Sequence, residues 1–407
     1  MTVDYQINGS WSFRVGNMNI KVLPPEVFES CFERHTSLPL YAANEKWAAG
    51  AKLDRLVSFE TTLPDALEPA SVVVRNASGK IFVRGRDYEV EERWANVGRL
   101  EKGGIEPDEA VFIDYRYRLL RLDSLFRTPE GVLRYAAGVP VSSCPALPEA
   151  ASGEERILNI HLLPQTRQLD DNAFYGIHVS KLSPPDCGGC RDMLKETFRK
   201  LETGSKLRIL AWGDSITEAG YYVADADRWQ EVFTRWLRER YPKAYIELVT
   251  VAKGGKNMRW FRSEPAGSPY NYREKVLDFG ADLIISEFNN DNGEPVDFLE
   301  KQYSEVLADF RSKGIEWIIL TSNYSNVEWM NFDGEKGESV EEDNRSGMLF
   351  MRDFAVRNQI AFADGAYAFG QVWKLGIPYS TMLTNNINHP DARGMQLLAD
   401  AVKAIFC

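Results

Sequence analysis

Hydrophobic and polar positions follow two different rhythms along this chain. Up to about residue 185, short runs with β-type composition are punctuated by Gly, Pro and Asn. Ser71-Val-Val-Val-Arg75 and Lys80-Ile-Phe-Val-Arg84 flank Asn76-Ala-Ser-Gly79, which predicts a hairpin. Val111–Tyr117 alternates its side chains, and Arg156–Leu162 is a further strand candidate. Short strands of this kind predict an all-β, sandwich or jelly-roll-like module over residues 1–185. Ser183-Pro-Pro-Asp-Cys-Gly-Gly189 looks like a hinge, so 186–204 is expected to be a linker carrying one short helix. Leu194, Phe198 and Leu201 give that helix its apolar stripe.

From Lys206 the period changes. Apolar runs at Leu207–Trp212, Ile246–Val251, Leu283–Phe288, Trp317–Thr321 and Ile360–Ala363 alternate with helical patterns. The helices are predicted over 228–241, 295–312, 339–358 and 391–405. In the first, Trp229, Val232, Phe233, Trp236 and Leu237 share a face. In the last, Met395, Leu398, Val402 and Ile405 do. Five strand–helix repeats over 205–407 predict an α/β, doubly wound parallel sheet with helices on both faces. Ligands of such sheets bind beyond the C-terminal strand ends, which selects the loops to inspect.

The chain has 407 residues, enough for two or three domains, and 44% of them are hydrophobic. Its net charge of −11 divides as −4 over residues 1–204 and −7 over 205–407. With no basic half and no Lys/Arg run, a nucleic-acid or anionic-membrane partner is not expected. No apolar stretch approaches the ~18 residues of a membrane span. The opening MTVDYQINGSWSFRVG lacks a basic segment followed by an apolar block, so a cytoplasmic location is expected. Five cysteines do not read as a disulfide framework. Cys187-Gly-Gly-Cys190 lacks the second pair of ligands that a zinc site requires, so two ordinary loop thiols and no metal are expected.

Four loops in the second half carry candidate chemistry. Gly213-Asp-Ser215-Ile-Thr217 follows the first strand and would present a serine hydroxyl where backbone N–H groups are also free. Taken alone, the triplet also suits a simple helix cap. Gly254-Gly255 follows the second strand and allows close approach of backbone amides. Asn289-Asn290-Asp291 follows the third and offers a side-chain amide to a developing oxyanion. Asn385-Asn386-Ile-Asn388-His389-Pro390 precedes the last helix. Of the four histidines, His35, His161, His178 and His389, only the last falls in a loop of the α/β half.

In this order the four blocks resemble the SGNH (GDSL-type) hydrolase superfamily over about residues 205–407. The resemblance implies Ser215 as nucleophile and His389 as base. It implies an oxyanion hole from the amides of Ser215 and Gly255 and the side chain of Asn290, with no cofactor. Asn290 is preferred to Asn289 by its place before Asp291. One departure matters: an aspartate usually stands three residues before the histidine, and here that position is Asn386. The orienter of His389 is then Asn386, a backbone carbonyl, or an acid from elsewhere. Asp391 follows Pro390 and is expected to open the final helix.

The implied activity is a serine esterase that removes a small acyl group, most simply acetyl, from a carbohydrate or glycoside. Asn257 and Trp260 are candidates to line the substrate entrance. β modules accompany several carbohydrate esterases of this superfamily, which tilts the expectation toward a saccharide ester. An O-acyltransferase using the same Ser–His site is the alternative. A catalytically inactive binding protein is a third reading, supported only by Asn386.

Overall fold

The computed structural model describes residues 3–183, 189–330, 343 and 345–407. Five parallel strands, β1 (Lys206–Gly213), β2 (Tyr245–Ala252), β3 (Leu283–Glu287), β4 (Glu316–Leu320) and β5 (Ala361–Ala363), pair in the order β2-β1-β3-β4-β5. The order reverses at β1, the central doubly wound feature, and puts the loops after β1, β2 and β3 side by side. Helices α1 (Lys195–Thr203), α2 (Ser215–Glu218), α3 (Trp229–Arg240), α4 (Met258–Ser263), α5 (Val296–Lys313), α6 (Ser346–Asn358), α7 (Gly365–Gln371) and α8 (Ala392–Ala404) accompany the sheet.

These elements follow local chemistry. Helix α5 begins after Pro295 and ends at Gly314 in the left-handed conformation, where its last turn closes on glycine. Asp391 accepts the N–H groups of Arg393 (2.9 Å) and Gly394 (3.1 Å) and so caps α8, as its place after Pro390 suggests. The short helix expected before β1 is broken at Leu194 into Cys190–Met193 and α1. Cys187 and most of the Pro-Pro hinge lie outside the described residues, as do 339–342 and 344 at the start of the predicted 339–358 helix. Neither α4 nor α7 was expected from the periodicity, because both are too short to establish one.

One core cluster lies on the α5–α6 side of the sheet. Trp212 of β1 is fully buried there, with ring centroids 5.0 Å from Phe288, 5.5 Å from Tyr272 and 5.9 Å from Phe261. Replacing such a residue by alanine typically costs about 3–5 kcal/mol. Its burial fixes the end of β1, one residue before the loop of interest.

Among the described residues the strands of the β-rich part all pair antiparallel, and they form four small sheets. Strands Tyr5–Gly9, Ser12–Val15 and Met18–Lys21 form one. Strands Leu133–Ala136, Arg121–Arg127, Glu155–Leu162 and Phe174–Gly176 form the second. Phe13 and Ile20 of the former share a core with Leu125, Leu158, Ile160 and Phe174 of the latter. Strands Phe28–His35, Val111–Tyr117 and Val73–Asn76 form the third, and Ala51–Lys52, Asn96–Arg99 and Tyr88–Glu91 the fourth. Val74, Val90, Val97 and Ile113 join these two in a second core. The predicted hairpin is only half made. Val73–Asn76 is a strand paired with Val111–Tyr117, and Lys80–Arg84 meets it at one bridge, Arg75 to Ile81, before Arg84 turns to bridge Tyr88.

By contacts the chain forms two compact units, residues 1–180 with 373–387, and residues 181–372 with 388–407. The segment 373–387, which the sequence pattern groups with the α/β half, thus packs in the β-rich unit. Asn159 Nδ2 donates to the Gly376 carbonyl (2.7 Å), Ile177 bridges Leu375, and Thr61 Oγ1 donates to the Asn385 carbonyl (2.6 Å).

Candidate active site

Gly213 ends β1 at a place where no side chain fits: an added Cβ would run into Thr217 Oγ1 and the Glu287 carbonyl. Asp214 then caps α2, accepting the Ile216 N–H at 3.1 Å. Ser215 is the first residue of that single turn and is 5% exposed. Among the described residues its hydroxyl and its N–H make no hydrogen bond. Capping and presentation of the hydroxyl therefore coexist, with Asp214 doing the capping.

Three loops close around Ser215. The Lys253 N–H donates to the Gly213 carbonyl at 3.1 Å, which fastens the β2 loop to the end of β1. A Cβ on Gly254 would lie 3.6 Å from Ser215 Cβ and 3.0 Å from Glu218 Oε2, so Gly254 is the nearer glycine. Its N–H is already donated to Glu218 Oε2 at 2.6 Å. Gly255 is exposed, has φ +70°, and its amide has no partner among the described residues. It is the glycine whose N–H remains available.

In the β3 loop, the N–H and Nδ2 of Asn290 both donate to Asp214 Oδ2 at 2.8 Å. An amide NH2 carries two hydrogens, so one is left to donate elsewhere. Asn289 instead accepts from Asn292 Nδ2, through its carbonyl at 3.0 Å and its Oδ1 at 3.5 Å. Asp291 accepts from Met258 N–H (3.0 Å) and Tyr303 Oη (2.9 Å), tying the β3 loop to α4.

His389 is 5% exposed. Its ring lies on that of Tyr222, with centroids 4.5 Å apart and planes 4° from parallel, and Tyr221 meets it edge-on at 5.9 Å. The Tyr222 hydroxyl donates to the Ser215 carbonyl at 3.2 Å. One side chain thus touches both the serine turn and the histidine.

The other sequence candidates are engaged elsewhere. Asn386 falls in the β-rich unit with φ +53°, and its Nδ2 donates to the carbonyls of Ser142 (3.1 Å) and Thr62 (3.3 Å). Asn257 caps α4 by accepting the Trp260 N–H (3.0 Å), and its Nδ2 donates to Glu294 (2.7 Å). Trp260 packs on Phe261 and Tyr270 at 5.2 and 5.5 Å.

Sequence reading passed over a buried set of acids below the serine. Burial pushes the Asp214 carboxyl up to about 6, against the lowering effect of the Asn290 and Ile216 N–H groups and of His389. Glu287, fully buried and bonded by Thr217 Oγ1 at 2.9 Å, is raised well above the usual range by burial and by the Asp214 charge. Burial takes Asp291 up to about 7. Glu287 did leave a trace in the sequence, as a lone charge closing the apolar run Leu283-Ile-Ile-Ser. The adjacent Tyr221-Tyr222 pair, just after the first block, was the corresponding trace of the histidine's support.

No protein-family model matches the chain, and no curated protein matches it. Solved structures do. A two-domain esterase (CEX) active on acetylated mannans matches with 16% identity and a TM-score of 0.42, over 53% of each chain. The chain therefore spans about half the length of that esterase. A catalytic mutant of Axe2, an acetylxylan esterase from Geobacillus stearothermophilus, matches at 18% identity and a TM-score of 0.39, over 49% of this chain and 94% of that one.

Proposed function

We propose that this chain is a serine esterase of the SGNH type that removes small acyl groups, acetyl foremost, from a carbohydrate or glycoside. The observation that carries the reading is Ser215 itself. Its hydroxyl makes no hydrogen bond among the described residues, and its turn is tied on one side to the Asn290 amide through Asp214 and on the other to the His389 ring through Tyr222.

In this mechanism Ser215 Oγ forms a bond to the ester carbon while its proton passes to His389. The carbonyl π pair moves onto oxygen, where the amides of Ser215 and Gly255 and the second Nδ2 hydrogen of Asn290 receive it. The hydrogen bond from hydroxyl to imidazole that this transfer requires forms as substrate binds. Collapse of the intermediate breaks the bond to the alcohol oxygen, which takes the proton from His389. Water then attacks the acyl-serine by the same route, releasing the carboxylic acid and restoring Ser215. Every proton has a named carrier, and no cofactor enters.

Two features support a small acyl group on a sugar. Gly254 lies close to Ser215 Cβ, and Glu218 Oε2 and the Tyr221 hydroxyl lie close to the same glycine, a filled surround that favours acetyl over a long chain. Tyr221 is 41% exposed beside His389 and offers an aromatic face of the kind on which sugar rings pack. The test is labelling with a fluorophosphonate, followed by release of acetate from acetylated sugars and from p-nitrophenyl acetate. Wild type should label and Ser215→Ala should not. An unlabelled wild type, or equal labelling of both, overturns the assignment.

A further inference from the structure

We infer that Tyr222 is the positioning residue of His389: its ring face fixes the imidazole plane and stabilises the imidazolium that forms when Ser215 gives up its proton. This rests on the reading of Ser215 and His389 as nucleophile and base.

A base that carries a proton for part of each turnover needs its plane fixed and its new charge stabilised. The position three residues before His389 is an asparagine, which brings no charge, and its amide hydrogens go to the carbonyls of Thr62 and Ser142. Tyr222 supplies both needs by other means. Its ring is 4° from parallel with the imidazole at a centroid distance of 4.5 Å, within the ~6 Å over which an aromatic face attracts a cation. Its hydroxyl, at the far end of the same rigid ring, is bonded to the Ser215 carbonyl at 3.2 Å. The stack is therefore referenced to the nucleophile's own turn. Tyr221 completes the support, edge-on to the imidazole at 5.9 Å and to Tyr222 at 5.0 Å, so that neither ring can tilt freely.

The face matters more during proton transfer than before it, because a neutral imidazole gains little from the ring quadrupole and an imidazolium gains more. The effect should therefore appear in kcat and not in KM. Tyr222→Leu removes the π face and should lower kcat about tenfold, the range expected of a desolvated cation–π contact, with KM little changed. Tyr222→Phe keeps the face and loses the hydroxyl anchor, and should stay within about threefold of wild type. Tyr222→Trp restores a π face in another shape and should recover most of what leucine loses.

Rates of fluorophosphonate labelling should follow the same order, since the same proton leaves Ser215. The inference is overturned if the leucine protein keeps wild-type kcat. It is equally overturned if phenylalanine falls as far as leucine, or if tryptophan, folded by circular dichroism, does no better than leucine. Failure of the esterase reading is distinct from all of these, because there the wild type itself is not labelled.

Discussion

Replacing Asn290 by alanine separates chemistry from architecture at this site. The side chain makes one hydrogen bond among the described residues, Nδ2 to Asp214 Oδ2 at 2.8 Å, and its other hydrogen is the one proposed to meet the oxyanion. The Asn290 backbone N–H bonds the same oxygen at 2.8 Å, and Ile216 N–H bonds the other at 3.1 Å; both survive the substitution. Asp214 thus keeps two of its three donors, and the stability loss should be about 1–3 kcal/mol, the range for one bond to a buried polar group. In the transition state the missing donor is worth more, about 3–4 kcal/mol, or roughly 10²–10³ in kcat. KM should hardly move, because the ground-state carbonyl carries little of the charge. The assay is steady-state hydrolysis of p-nitrophenyl acetate beside urea unfolding of the same preparation. Asn289→Ala, whose side chain only accepts from Asn292, should leave kcat nearly intact. A folded Asn290→Ala with wild-type kcat, or a large loss in Asn289→Ala instead, would refute the reasoning.

Further outcomes follow from the same contacts. Asp291, raised to about 7 by burial, binds its proton more tightly folded than unfolded; its stability contribution is full below about pH 4 and is lost as pH rises toward 7. Asp291→Asn should therefore flatten the fall in urea stability between pH 5 and 8 by roughly 2–3 kcal/mol, and parallel slopes in the two proteins would contradict this. Gly213→Ala forces a methyl against the Glu287 carbonyl and should destabilise by about 1–3 kcal/mol, read as a lower Tm. Asn386→Ala removes two donated hydrogen bonds and should cost about 1–2 kcal/mol of stability. Lost turnover at unchanged stability would instead make Asn386 a support of His389.

The parallel sheet was legible because buried parallel strands are written as continuous apolar runs, and each lies within a residue or two of its predicted place, from β1 through β5. Ser215, Asn290 and His389 stood out because their loops follow strand ends or precede a capped helix. Three things were not legible. The pairing of Val73–Asn76 with Val111–Tyr117 joins segments some forty residues apart, and local alternation does not encode the choice of partner. That Asn257 caps a helix and Trp260 packs on Phe261 was not visible from their place after the second block. The support of His389 comes from Tyr222, 167 positions earlier, a distance that no spacing rule spans.

The return of residues 373–387 to the β-rich unit makes that unit discontinuous in sequence, and the α/β unit with it. A ribosome must deliver residue 387 before the first unit is complete, and His389 emerges only two residues later. The two halves are therefore not beads that recombination can exchange by one cut near residue 185. A fragment starting at 205 would carry 373–387 without Asn159, Ile177 or Thr61, its partners. Expressed alone, it should be the less soluble for it.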